Sequence, residues 1–138
     1  MIITRTSIVM GNQGGALPML KMLVGIGFGG KQGNGNQFVS WISEEDYVRS
    51  IDHLIYQKGG VYNLCVPNPL KNETFQRKFR MKLGVFFGLD MPKWLLKLGA
   101  VIIGTEPELL LKSRRVYPEN LLKTGFTFKT NNFDAFAL

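Results

Sequence analysis

His53 is the only histidine of the chain and Cys65 its only cysteine, so the side chains best suited to proton transfer, nucleophilic attack and metal binding occur once each. A histidine-centred triad has one candidate base, and His53 falls in an amphipathic stretch where a structural or surface histidine is expected. One Cys and one His cannot assemble a zinc site of ordinary composition within a single chain. Glu44, Glu45 and Asp46 could be paired acids, but they follow Ser43 at the start of a helical pattern, where a hydroxyl cap and an acidic first turn account for them. Gly25, Gly27 and Gly30 satisfy G-x-G-x-x-G. A phosphate-cradling loop of that kind needs a strand before it and a helix starting within it. Here a helix-like segment precedes it and more glycine follows, so the expectation is a flexible loop near an active-site mouth.

The elements that must position these groups follow from periodicity. Ile2 to Met10 is rich in Ile, Val and Thr and ends at Gly11, as a buried strand should. Ala16 to Val24 reads as a short helix with Pro18 in its first turn, and Gln37 to Ile42 as a short strand. From Ser43 a capped helix follows, with Tyr47, Val48, Ile51, Leu54 and Ile55 on one face. Val61 to Val66 is a further strand, and the arrangement predicts parallel pairing of residues 2–10 with 61–66 through a long crossover. After Pro67-Asn68-Pro69 the texture becomes helical. Asn72 is expected to cap a helix carrying Phe75, Phe79 and Leu83. Pro92 opens a second helix, Thr105 with Glu108 a third, Pro118 a fourth ending at Gly125, and Asn131 or Asn132 a last short one. Phe126 and Phe128 alternate like a strand.

Composition excludes several classes. The chain is 45% hydrophobic and 20% charged, which argues against disorder and fibrous structure. At 138 residues it can bury roughly 65–70% of its unfolded surface. The formal charge of +7 is densest at Lys71, Arg77, Lys78, Arg80 and Lys82 and again at Lys112, Arg114 and Arg115. An anionic partner is compatible with that charge, but no nucleic-acid-binding module accompanies it, so nucleic acid is not expected. Cys65, inside the apolar run VYNLCV, reads as a small buried hydrophobe, and a cytoplasmic location fits. The start of the chain lacks the pattern of an export signal. The apolar run from Trp94 to Ile103 is interrupted by Lys97 and too short for a membrane span.

RTSIVMG at residues 5–11, GGALPML at 14–20, GNGNQFVSWISEED at 33–46, GGVYNLCVPNPLKNETF at 59–75 and RRVYPENLLKTGFTF at 114–128 resemble, in order and spacing, the second half of an epimerase-like branch of the extended short-chain dehydrogenase/reductases. The resemblance implies an α/β fold. Residues 1–70 would be the last strands of a Rossmann-type parallel sheet with their crossover helix, and residues 71–138 a small, mainly helical C-terminal domain on the substrate side. It further implies an NAD- or NADP-dependent epimerase or reductase. That family's glycine-rich cofactor loop and Tyr-x-x-x-Lys pair lie upstream of the matched part. Here Tyr47, Tyr56, Tyr62 and Tyr117 are followed four positions later by Ile51, Gly60, Val66 and Leu121, so the phenol that a lysine would activate as general acid or base has no such neighbour.

By resemblance, Thr6, Ser7, Ile8 and Val9 are the residues expected beside a nicotinamide, and Arg5, Val39, Ser40 and Trp41 those on the substrate side. Sugar-nucleotide epimerases usually carry a diphosphate-gripping arginine in the segment where this chain has Val39, and histidine is common where it has Ser43. The chain alone is therefore expected to hold no nicotinamide cofactor and to be inactive. Its expected partners are a first Rossmann half or a second copy of itself. The rival reading is a non-enzymatic basic interaction module that binds a partner protein or an anionic membrane surface through the basic helices or the Trp94 to Ile103 face.

Overall fold

The computed structural model describes residues 1–103 and 111–138. The helix expected from Thr105 and Glu108 lies outside them. The chain is a mixed α/β protein that divides into two compact units. The first comprises Met1–Pro18, Ser40–Pro69 and Arg115–Ala137, and the second Met19–Val39, Leu70–Arg114 and Leu138. Each therefore draws on chain from both sides of residue 70.

In the first unit the β-branched opening forms two strands rather than one. β1 (Ile2–Thr6) pairs in parallel with β6 (Gly60–Leu64), from Ile2 opposite Gly60 to Thr6 opposite Leu64. β2 (Ile8–Gly11) pairs in parallel with β5 (Trp41–Ser43) and antiparallel with β3 (Gly14–Gly15). The parallel pairing expected for residues 2–10 thus stops at Thr6, and the cause is local. Ser7 directs both its backbone N–H (3.1 Å) and its hydroxyl (2.8 Å) to the carbonyl of Leu64. Beyond that anchor β5 takes over: Ile8 N–H donates to the Ser40 carbonyl on one side of it, and Val66 N–H to the Trp41 carbonyl on the other.

Helix α2 (Glu44–Leu54) begins as its sequence predicts, with the Ser43 hydroxyl accepting from the Asp46 N–H, a cap worth about 1 kcal/mol. Its buried row is Asp46, Ser50 and Leu54, one helical turn apart, with Tyr47 and Ile51 half-buried beside it. Val48 and Ile55, expected on that face, are 52% and 66% exposed. The helix sits over a core of Ile42, Leu54, Tyr62, Leu64, Leu121 and Phe126. Leu121 comes from α5 (Glu119–Lys123), which ends before Gly125 at φ +82°, a left-handed position that favours glycine. Phe126 and Phe128 are not a strand; their rings meet edge-to-face at 5.0 Å, so the alternation reflects ring packing. A 3-10 turn, Phe133–Ala135, closes the unit, capped by the Asn132 side chain.

The second unit contains most of α1 (Leu17–Gly25), β4 (Phe38–Val39) antiparallel to β7 (Leu70–Lys71), α3 (Asn72–Lys82) and α4 (Lys93–Ile103). Gln37 to Ile42 is therefore split at Ser40 between β4 and β5. Asn72 is not a cap: the N-cap is Lys71, which makes no side-chain bond, and Asn72 is the first helical residue. Phe75 and Phe79 are buried and stack at 6.2 Å, and Leu83 is half-buried. Leu23, Met91 and Leu96 form a second core with Phe28, Leu95 and Leu111 around it.

Candidate functional site

In open parallel sheets, ligands bind beyond the carboxyl ends of the strands. In the first unit β1 ends at Thr6 next to the end of β6 at Leu64, and the residues there are those the sequence singles out. Thr6 is exposed, and Ser7, Ile8 and Val9 are half-buried. Ser7 is held by Leu64, Ile8 lies opposite Trp41, and Val9 lies opposite Ile42 and packs on the core. Arg5 is exposed, opposite Asn63.

The two edges of the β1–β6 sheet differ. Beyond β6, the Asn120 side chain donates to the Val61 carbonyl at 2.8 Å, and the Asn63 side chain to the Tyr117 carbonyl at 3.2 Å. Among the described residues, β1 has no strand on its outer side, and its residues from Ile3 to Thr6 are exposed. A five-residue parallel strand with one open edge and an exposed face is unusual, because parallel sheets are normally buried on both faces.

Ser40 and Trp41 are placed inside the first unit. The Ser40 hydroxyl accepts from the Val116 N–H at 3.1 Å. Trp41 has no exposed surface and is edge-on to Phe133 and Phe136 at 5.3 and 5.4 Å, contacts worth about 0.5–1.5 kcal/mol each beyond their area. Val39 belongs to the second unit and lies opposite Leu70 in β4–β7.

The remaining chemical groups are engaged in contacts within the first unit. Asp46 has no exposed surface. It accepts from Arg49 at 2.6 Å and from the N–H groups of Lys129 and Thr130 at 3.0 and 2.8 Å, while Lys129 Nζ also pairs with Glu45. His53 Nε2 is 2.8 Å from the Thr124 hydroxyl, and the ring lies edge-on to Phe126. Burial pushes the Cys65 thiol up to about 12, so it is inert as a nucleophile near neutrality. No cluster of three or more His, Cys, Asp or Glu that could hold a metal ion occurs among the described residues.

Part of the glycine run is explained by packing within the second unit, and Gly27 by its left-handed backbone at φ +95°. Gly30 N–H donates to the Leu89 carbonyl and Leu89 N–H to the Gly27 carbonyl. A Cβ on Gly30 would sit 2.6 Å from the Leu89 backbone, and one on Gly88 2.6 Å from that of Gly29. Sequence reasoning missed a buried amide pair nearby. Asn72 Oδ1 accepts from the Gln32 backbone at 2.8 Å, and Asn72 Nδ2 donates to Gln32 Oε1 at 3.1 Å. A polar pair forty positions apart leaves no periodic signal.

Residues 91–137 match a family described as a domain of unknown function (DUF1731). An epimerase family protein of Mycobacterium bovis is 33% identical over 132 residues, covering 94% of this chain and 43% of that protein. The crystal structure of a human epimerase family protein (isoform 2) with NADPH superposes with a TM-score of 0.86 at 27% identity, over 97% of this chain and 45% of that one. Over nearly its whole length the chain is thus similar to part of proteins named as epimerase family members. A nucleoside-diphosphate sugar epimerase from Corynebacterium glutamicum superposes with a TM-score of 0.70 at 28% identity, over 96% of this chain and 24% of that one. The chain spans less than half the length of each of these three proteins.

Proposed function

We propose that this chain is the substrate-side portion of an NAD(P)-dependent epimerase or reductase-like protein, completed by a first Rossmann half that pairs with β1. The open outer edge of β1 carries the reading, since a strand exposed along a parallel sheet calls for a neighbour. The likeness to 45% of an NADPH-bound chain supports it. In this reading residues 1–70 close the NAD(P)-binding fold and residues 71–138 form the C-terminal domain, within which the match at 91–137 falls.

Thr6, Ser7, Ile8 and Val9 fit one wall of a nicotinamide site: an exposed hydroxyl, a second hydroxyl fixed on Leu64, and two half-buried aliphatic side chains at a strand end. The bound cofactor would take or return a hydride, and these residues would orient its ring and keep water from it. Arg5 would face the substrate side. Ser40 and Trp41, buried as they are, would act by fixing the position of Ile8. Val39, with Leu70 opposite it, would give an uncharged lining.

Gly29 and Gly30 are committed to packing and a helix, not a strand, precedes the run, so the isolated chain is expected to bind nicotinamide cofactors weakly. Calorimetric titration of the chain with NADPH and NADH, alone and after co-expression with the first half of the mycobacterial relative, tests this. Binding only by the reconstituted protein is the expected result. Binding by the isolated chain tighter than about 10 μM, roughly 7 kcal/mol, would overturn it.

A further inference from the structure

Charge is divided unevenly between the two units. The segments of the first carry six Lys/Arg against six Asp/Glu, and those of the second eleven against four, so the whole formal charge of +7 belongs to the second. Within that unit α4 has two apolar sides. Leu95 and Leu96 pack inward with Leu23 and Met91. Trp94, Leu98 and Val101, one turn apart along the opposite side, are 68%, 55% and 75% exposed. Lys97 lies on that same stripe and Lys93 at its start, and the helix carries no acidic residue. The segment after α3 adds Phe86 and Phe87, 85% and 74% exposed.

An apolar ridge that carries Lys93 and Lys97, on a helix with no acid of its own, fits one occupant better than others. A second copy meeting this face with its own second unit would bring +7 against +7. A nucleic acid would neutralise the lysines but make no use of Leu98 and Val101, since its contacts favour aromatic stacking and hydrogen bonding. An anionic bilayer satisfies both halves of the ridge: aliphatic groups enter the headgroup and acyl boundary, tryptophan sits at headgroup level, and lysines extend their stems so that the ammonium reaches lipid phosphate. We propose that α4 docks this protein on an anionic lipid surface, with Trp94, Leu98 and Val101 inserted and Lys93 and Lys97 against the phosphates. The inference is independent of the cofactor reading.

Flotation of the whole chain with phosphatidylcholine vesicles, with and without roughly 30 mol% phosphatidylglycerol, tests it. Bound fraction should rise about tenfold with the anionic lipid and fall again in high salt. Trp41 is fully buried, so a blue shift of emission on binding reports Trp94. Lys97→Glu and Leu98→Asp, both at exposed positions, should each reduce binding at least about fivefold with an unchanged melt, and Lys97→Arg should retain it. Equal binding to neutral vesicles, no emission shift, or binding to a short RNA or an acidic polypeptide in place of vesicles would overturn the proposal.

Discussion

The carboxylate of Asp46, wholly buried, accepts the backbone N–H of Thr130 at 2.8 Å across 84 positions of sequence. With the Lys129 N–H and Arg49 it holds the segment after Phe128 against the start of α2. Removing the carboxylate strands two backbone donors and a guanidinium, each costly without a partner. Asp46→Ala should therefore lower stability by about 2–4 kcal/mol, and Asp46→Asn by less, in urea unfolding followed by circular dichroism. A loss under about 0.5 kcal/mol for Asp46→Ala would put the tether's role in doubt.

Cys65 supplies a pH dependence of definite sign. Its folded pKa, about 12, lies above the ordinary value of 9.0 because burial disfavours the thiolate. The unfolded chain releases this proton first, so the contribution is full below about pH 9 and is lost as pH rises from there towards 12, at about 1.4 kcal/mol per pH unit. Between pH 8 and 10 the wild type should lose more stability than Cys65→Ala, whatever the offset between them at pH 8. Ellman's reagent should label the thiol at pH 8 only on unfolding.

Gly30 and Gly88 should resist substitution because their Cβ positions are occupied by backbone. Gly30→Ala and Gly88→Ala are expected to cost about 1–3 kcal/mol. Gly14, where nothing lies within 4 Å, is the control and should tolerate alanine with little change. Thermal melts of the three variants decide the matter, and equal tolerance would remove the packing account of the glycine run.

Local chemistry was legible where the partner is near in sequence. Ser43 caps α2 because its own N3 N–H is within reach, and Pro118 and Gly125 bracket α5. Asp46 was readable as an acid of the first turn of α2, yet nothing near it in sequence names Thr130 as a donor to its carboxylate. Asn72 looked like a cap because its type fits one. Gln32, forty positions away, offers its amide a buried partner, and Lys71 is left as the cap. Ser7 looked like an ordinary strand residue, since nothing local reveals that its hydroxyl will end the pairing with β6. Thr6 to Val9 were placed at a strand end by resemblance, and Trp41, named with the substrate side, lies among Phe133 and Phe136 because only the folded chain brings those rings to it.

In the proposed function Val39 would stand on the substrate side of the completed protein. Cross-strand partners share a face of the sheet, and Val39 has Leu70 opposite it while Lys71 is opposite Phe38. No charge of this ladder accompanies Val39, so small uncharged carbonyl substrates are expected to be turned over in preference to UDP- and GDP-sugars. A best substrate among the nucleotide sugars, with affinity unmoved by Val39→Arg, would contradict this. An affinity gain of about tenfold or more for nucleotide sugars in Val39→Arg would support it.

The open edge of β1 makes a last prediction about the chain by itself. Unpaired strand edges recruit other strands, and the first unit, with balanced charges, opposes self-pairing less than the second, which carries all of the +7. Two copies related by a two-fold axis would set β1 against β1 antiparallel, with Thr4 opposite its counterpart and Ile3 opposite the partner copy's Arg5 position. Thr4 is exposed, so Thr4→Lys leaves the monomer's core untouched and places like charges directly opposite each other, which disfavours the pair. Light scattering coupled to size-exclusion chromatography should give a dimer for the wild type at about 100 μM and a monomer for Thr4→Lys, with the same melting behaviour at low concentration. Supplying the first Rossmann half should also dissolve the dimer, since both compete for one edge. A wild-type monomer at that concentration, with a cooperative melt and no binding of an apolar dye, would show that the edge is closed in solution and would count against both the dimer and the proposed first-half partner.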